Sequence, residues 1–156
     1  MRLGFYSEAG RQDIAVARRL LAATTDAVTD DSVRAARQAL MQREEDVGPL
    51  LARADFYALS TCRDLLFPAE EHCTTLRALA GLLERFALEP IGFLMEPAVL
   101  QAYRDRFPAD PAARDLECWN AFEAEHPRTF AGMYRFWVRK ADRSGDPAGP
   151  SGRAAS

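Results

Sequence analysis

Two hydrophobic periodicities share this chain, and their order along it sets the fold class. Leu3, Phe5 and Tyr6 around Gly4, and Ile91 and Phe93 within Leu88–Met95, carry strand-like patterning. Thr129–Lys140 is open to two readings. Phe130, Gly132, Tyr134, Phe136 and Val138 alternate as in a strand, whereas Phe130, Met133 and Trp137 also share a helical face. The aromatic and β-branched content, and a glycine that would weaken a helix, favour the strand.

Between these segments the apolar residues recur at helical spacing. Ser7 is placed to cap a helix with Ile14, Ala17, Leu20 and Leu21 inward and Arg11, Arg18 and Arg19 toward water. Thr29 to Ser32 start a second helix that buries Val33, Ala36, Leu40 and Met41, and Gly48-Pro49 breaks the pattern. Ser60 is expected to cap a short helix through Phe67, stopped by Pro68. Thr74 or Thr75 caps one carrying Leu76, Leu79, Leu83 and Phe86. Pro97 opens a helix with Val99, Leu100, Tyr103 and Phe107. Asp110-Pro111 repeats that start signal ahead of Leu116, Trp119 and Phe122. The expected fold is α+β and mostly helical, with about three strands. Residues 1–140 form one unit. Residues 141–156, rich in Gly, Pro, Ser and Ala without a large apolar residue, read as a disordered tail.

Composition narrows the function classes. At 156 residues and 48% hydrophobic, the chain is one domain or a piece of a larger one, with a core of its own. No apolar run approaches the ~20 residues that span a bilayer, and the first residues lack the apolar stretch of a signal peptide. A cytoplasmic location and no membrane partner are expected. Of 20 basic residues all but Lys140 are arginine, yet 23 acidic residues are interspersed among them. With a pI near 5.4 there is no basic stripe, so nucleic acid is not an expected partner. Cys62, Cys73 and Cys118 form no C-x-x-C pair, and His72 and His126 are the only histidines. A disulfide framework and a metal site are both disfavoured. No glycine-rich nucleotide motif, P-loop, H-E-x-x-H or G-x-S-x-G occurs.

The candidate site residues are polar groups beside apolar segments. Tyr6, Ser7 and Glu8 leave the carboxyl end of the first strand, where open α/β sheets place their ligands. The plainer reading is a strand end followed by a helix cap. Tyr57, Ser60, Cys62, Arg63, Asp64 and His72 form the densest cluster. There Arg63 would clamp a carboxylate or phosphate, Asp64 would orient it, and His72 would serve as acid or base. The plainer alternative pairs Arg63 and Asp64 with backbone ends, leaves His72 in solvent and makes Cys62 a small buried hydrophobe. Trp119, Phe122, Tyr134, Phe136 and Trp137 are aromatic enough to line a pocket, but their helical and strand spacing reads as core. Glu123 and Glu125 read as a solvated helix end.

Several segments together resemble the C-terminal region of a bacterial family of class I S-adenosylmethionine-dependent methyltransferases, some members of which also carry tetratricopeptide repeats. They are Met1–Glu8 (MRLGFYSE), Asp55–Phe67 (DFYALSTCRDLLF) and Glu71-His72. Further along come Tyr103–Pro108 (YRDRFP), Trp119–Glu123 (WNAFE) and Pro127–Trp137 (PRTFAGMYRFW). The resemblance implies a partial methyltransferase-type, Rossmann-like sheet, with Leu3 to Tyr6 as fifth strand, Leu88 to Met95 as sixth and Phe130 to Arg139 as seventh. The helices between would cap the substrate side. It further implies that Tyr6, Ser7, Glu8, Tyr57, Ser60, Arg63, Asp64 and His72 lie near the substrate.

The departures matter as much. Pro68 stands where the family pattern has a histidine, and the glycine-rich first strand-loop-helix, the acidic residue that holds the ribose and the intervening strands are missing. The chain is therefore expected to be a C-terminal, substrate-side portion of such an enzyme, truncated or working with a separate cofactor-binding chain. It would bind no cofactor alone, with S-adenosylmethionine implied for the complete enzyme. Its expected partners are a cofactor-binding half or a second copy, with a small-molecule or protein substrate. The alternative is a non-catalytic helical module that binds a protein or ligand.

Overall fold

The first residues extend because Leu3 and Phe5 reach one core while Gly4 and Tyr6 turn to the other side. In the computed structural model, which describes residues 1–22 and 28–141, they form β1 (Arg2–Ser7). A 3-10 turn (Ala9–Arg11) leads into α1 (Gln12–Leu21), followed by α2 (Asp30–Met41), α3 (Glu44–Leu51) and α4 (Leu59–Leu66). Then come β2 (Cys73–Thr74), α5 (Leu76–Arg85), β3 (Leu88–Phe93), α6 (Pro97–Arg106), α7 (Leu116–Glu125) and β4 (Tyr134–Lys140). The fold is α+β, and no helix among the described residues is long and apolar enough to cross a membrane. The proposed tail from residue 142 onward lies outside the described residues.

The sheet has four strands rather than three, in the order β2-β1-β4-β3. The extra strand is two residues long and pairs parallel to β1 through Tyr6–Cys73 and Ser7–Thr74. So short a strand leaves no hydrophobic alternation to read. On its other side β1 pairs antiparallel with β4, from Arg2–Trp137 to Phe5–Tyr134. β4 in turn pairs antiparallel with β3, with an irregularity between Pro90 and Gly92 that leaves Ile91 outside the ladder.

Two cores flank this sheet. On one face Tyr134, Phe136 and Val138 of β4 and Phe93 of β3 pack with α5, α6 and α7. Trp119 is the hub: its ring stacks on Tyr103 at 3.9 Å, meets Phe93, Phe122 and Phe130, and its Nε1–H donates to the Ala113 carbonyl. The second core lies among α1 to α4, where Ile14, Val33, Leu40, Val47, Leu50 and Phe56 are fully or almost fully buried. Trp137, by contrast, stands half exposed on the sheet face turned away from the aromatic core.

Local signals set most boundaries. Thr29 caps α2 in a reciprocal box with Ser32, and Thr75 rather than Thr74 caps α5. Pro97 occupies the first turn of α6, where its missing N–H costs nothing. Others mislead. Gly48-Pro49 sits inside α3, because Val47 leaves helical geometry and lets the proline start a fresh turn. Ser60 does not cap α4, which begins one residue earlier after Ala58 without a side-chain cap. Asp110-Pro111 opens a loop: Asp110 accepts from the Tyr103 hydroxyl and the N–H groups of Arg114 and Asp115, and α7 starts at Leu116 under Asp115. β3 stops at Phe93, and β4 begins only at Tyr134, with Phe130 entering the core from the preceding loop. Met41 and Phe86, at the ends of their stripes, are exposed.

Candidate functional site

The carboxyl end of β1 opens into a cleft between the outer sheet face and the α1–α4 helices. Its main cavity, about 340 Å³, is lined by Tyr6, Arg11, Arg53, Asp55, Leu65 and Arg135, with Gly132 and Met133 closing one wall. A side cavity of about 180 Å³ shares Tyr6, Arg11, Asp55 and Leu65 with it and adds Thr61, Asp64 and Glu71. The sheet places these groups: Tyr6 follows Gly4 on the outer face of β1, and Gly4 pairs with Arg135.

Three arginines line the main cavity and a fourth, Arg18, reaches Glu71 in the wall of its side chamber; they divide into two kinds. Arg53 is saturated: it grips Asp13 with two hydrogen bonds of 2.8 and 3.1 Å and donates to the carbonyls of Ala131 and Gly10. Arg18 is equally engaged, donating to the Leu65 carbonyl near the end of α4 and forking onto Glu71. The Arg11 guanidinium carbon sits over the Tyr6 ring, 3.8 Å from its centroid, with one long contact of 3.7 Å to Glu71. Its buried Nε has no partner, and among the described residues its side chain makes no hydrogen bond. Arg135, exposed, makes no side-chain hydrogen bond or ion pair among them; only its backbone is used, its carbonyl accepting from Leu94. The expectation that Arg11 and Arg18 face water is thus corrected. Their chains fold back because a helix-end carbonyl and a carboxylate wait 47 and 53 residues downstream of Arg18.

Glu71 has a side chain only 7% exposed. Burial by itself would raise its pKa, but hydrogen bonds from Arg18 and the charges of Arg11 and Arg18 reverse that and hold it below the ordinary value. A depressed folded-state pKa gives stability that is present above the unfolded value, about 4.3, and lost as pH falls through the folded one. Arg18→Gln is therefore expected to cost about 2 kcal/mol at pH 7. In urea titrations its gap to the wild type should narrow below about pH 4. A gap independent of pH would show that Glu71 is not the partner that matters.

The sequence candidates scatter. Tyr6 and Asp64 line the cleft. Ser7 is buried beside it, donating to Glu123 at 2.6 Å while accepting from the Gly10 N–H. Glu8 points to solvent. Arg63 pairs with Asp30 at the start of α2 rather than with Asp64. The Tyr57 hydroxyl donates to the Leu51 carbonyl, Ser60 is exposed, and His72 is exposed with no hydrogen bond among the described residues. Burial raises the pKa of all three thiols, so none is an activated nucleophile. Glu123 is not a solvated helix end; it is buried between the hydroxyls of Ser7 and Tyr134. No group of three or more metal-ligating side chains occurs among the described residues.

Residue patterns did not single out Arg11, Arg53 or Arg135. Only for Arg135 does the sequence hold a signal: alternation sets it on the face opposite Tyr134 and Phe136. Gly132 lines the cavity with open space where a Cβ would stand, whereas Gly10, in the turn after β1, is packed so that a Cβ would meet the Phe130 carbonyl. No family model, curated protein or solved structure matches the chain.

Proposed function

We infer that this chain is the C-terminal, substrate-side portion of an S-adenosylmethionine-dependent methyltransferase. The observation that carries the reading is the sheet. β1, β3 and β4 occupy the segments that the resemblance numbers fifth, sixth and seventh, and they are contiguous, with β4 antiparallel between the other two. The outer edge of β1 is paired only at Tyr6 and Ser7, which leaves Arg2 to Phe5 open to a neighbouring strand. The polar cleft lies at the carboxyl end of β1, the position that ligands take in open α/β sheets.

On this reading the α1–α4 helices cap the substrate, and the cofactor is held by a half of the enzyme outside this sequence. The glycines stand singly in the sequence, and Gly10 in the turn after β1 is packed against backbone, so no glycine-rich cradle for the cofactor occurs among the described residues. The cofactor would supply the methyl group, while this chain binds and orients the acceptor. Its partner is that half, or a second copy at the open edge, in the cytoplasm.

The test is the coding sequence immediately upstream, followed by calorimetry. A glycine-rich strand-loop-helix is expected there in frame, or in a separate chain. The longer protein or reconstituted pair should bind S-adenosylmethionine, and the present chain should give no heat with it. Cofactor binding by the present chain, or no such segment in the genome, sinks the reading. The separate core of α1–α4 favours a second reading, a non-catalytic helical binding module, which a missing cofactor half would support.

A further inference from the structure

The arginines of the cleft are unequal, and the inequality has a chemical meaning. Arg18 and Arg53 spend their donors on carboxylates and carbonyls of the fold. Arg11 and Arg135 line the same cavity and spend almost none. The cation–π contact with Tyr6 restrains the Arg11 guanidinium without using an N–H, so its donors are not spent on the fold. Its side chain is only 12% exposed, and a guanidinium so withdrawn from water with an orphaned Nε is costly unless something else satisfies it.

We propose that this cavity binds a carboxylate, held by Arg11 and Arg135, of a small monoanionic molecule with an apolar body. A fixed guanidinium fork matches the two oxygens of a carboxylate, which receives parallel N–H bonds. Met133 and Leu65 give the cavity its apolar walls. Asp55 lines the same cavity and Asp64 its side chamber, and neither carboxylate has a partner among the described residues. Their charge repels a second negative charge, which disfavours a phosphate dianion. In the methyltransferase reading, on which this inference rests, the carboxylate identifies the class of methyl acceptor and orients it. Arg11 and Arg135 are then positioning residues.

The experiment needs no cofactor. The chain is titrated at pH 7 with 3-phenylpropanoate, 3-phenylpropanamide and inorganic phosphate, following the backbone amides of Tyr6, Gly132 and Met133 by NMR. Saturable shifts are expected with the carboxylate at millimolar concentration. The neutral amide and phosphate should each bind at least about tenfold more weakly, the worth of one charge-assisted pair. Arg135→Gln removes an exposed side chain that holds nothing in the fold, so it should leave the rest of the spectrum intact and weaken the carboxylate by a similar factor. Arg11→Gln should weaken the carboxylate similarly while also shifting signals around Tyr6 and Glu71, which the Arg11 side chain touches. Equal binding of the amide, preferential binding of phosphate, unchanged affinity in Arg135→Gln, or no saturable shift with the carboxylate would each overturn the proposal. Such a failure leaves cofactor acquisition by the longer protein unaffected, so the two readings fail separately.

Discussion

Glu123→Ala is expected to destabilise the protein by about 4 kcal/mol, a large share of the 5–15 kcal/mol by which domains are stable. The Ser7 hydroxyl donates to one carboxylate oxygen and the Tyr134 hydroxyl to the other, at 2.6 and 2.7 Å. Burial above all, together with the hydrogen bond and charge of Glu123, outweighs an opposing hydrogen bond with Ser7 and pushes the Tyr134 hydroxyl well above its ordinary pKa, so it stays a donor. Truncating the carboxylate orphans two buried donors, each costing about 1–3 kcal/mol, and loosens the joint between β1, α7 and β4. Glu123→Gln should cost only about 1 kcal/mol, because a hydroxyl can turn to accept from the new amide. Adding Tyr134→Phe to Glu123→Ala should recover stability by removing one orphan. Urea unfolding of the four proteins measures all of this. An alanine variant within about 1 kcal/mol of wild type would show that water replaces the carboxylate freely.

Gly10→Ala is expected to cost about 3 kcal/mol, the upper range for overpacking. An added Cβ would stand 2.9 Å from the Phe130 carbonyl carbon, 3.0 Å from the Ala131 Cα, and closer still to the Phe130 oxygen. Backbone cannot swing aside like a side chain, so the turn after β1 and the loop before β4 must part. The Arg53 guanidinium bridges that same junction through the carbonyls of Gly10 and Ala131. The shift should therefore lower the unfolding midpoint and alter the amide signals of both segments. A Gly10→Ala protein as stable as the wild type would mean the junction is looser than this geometry. At Gly48 or Gly81 the same change meets open space and serves as the control.

Much of the fold can be read along the chain where the determinants are local. The Thr29–Ser32 box, Pro97 at the start of α6 and the Leu116, Trp119 and Phe122 stripe each lie within a turn or two of what they specify. The rest depends on distant partners. Glu123 looks solvated beside Glu125; only Ser7, 116 residues away, and Tyr134 make it a buried joint. Arg53 finds its carbonyl partners 43 and 78 residues off, and nothing near it in sequence marks them. Asp110-Pro111 misleads because the same pair stabilises a loop as well as a helix start. In the cleft, Tyr6 is legible from its place at a strand end. Arg11 is not, since an arginine near a helix start reads as a solvated residue until Tyr6 and Glu71 are folded around it.

The two tryptophans sit in opposite settings, and this gives the molecule two built-in lamps. Trp119 is wholly enclosed, whereas Trp137 is 46% exposed on the outer sheet face, beside Arg2 of β1. A chain that covers the Trp137 indole on that face takes water from it and leaves Trp119 as it was. The colour of the emission therefore separates an event at the outer surface from a loosening of the interior, with no label added.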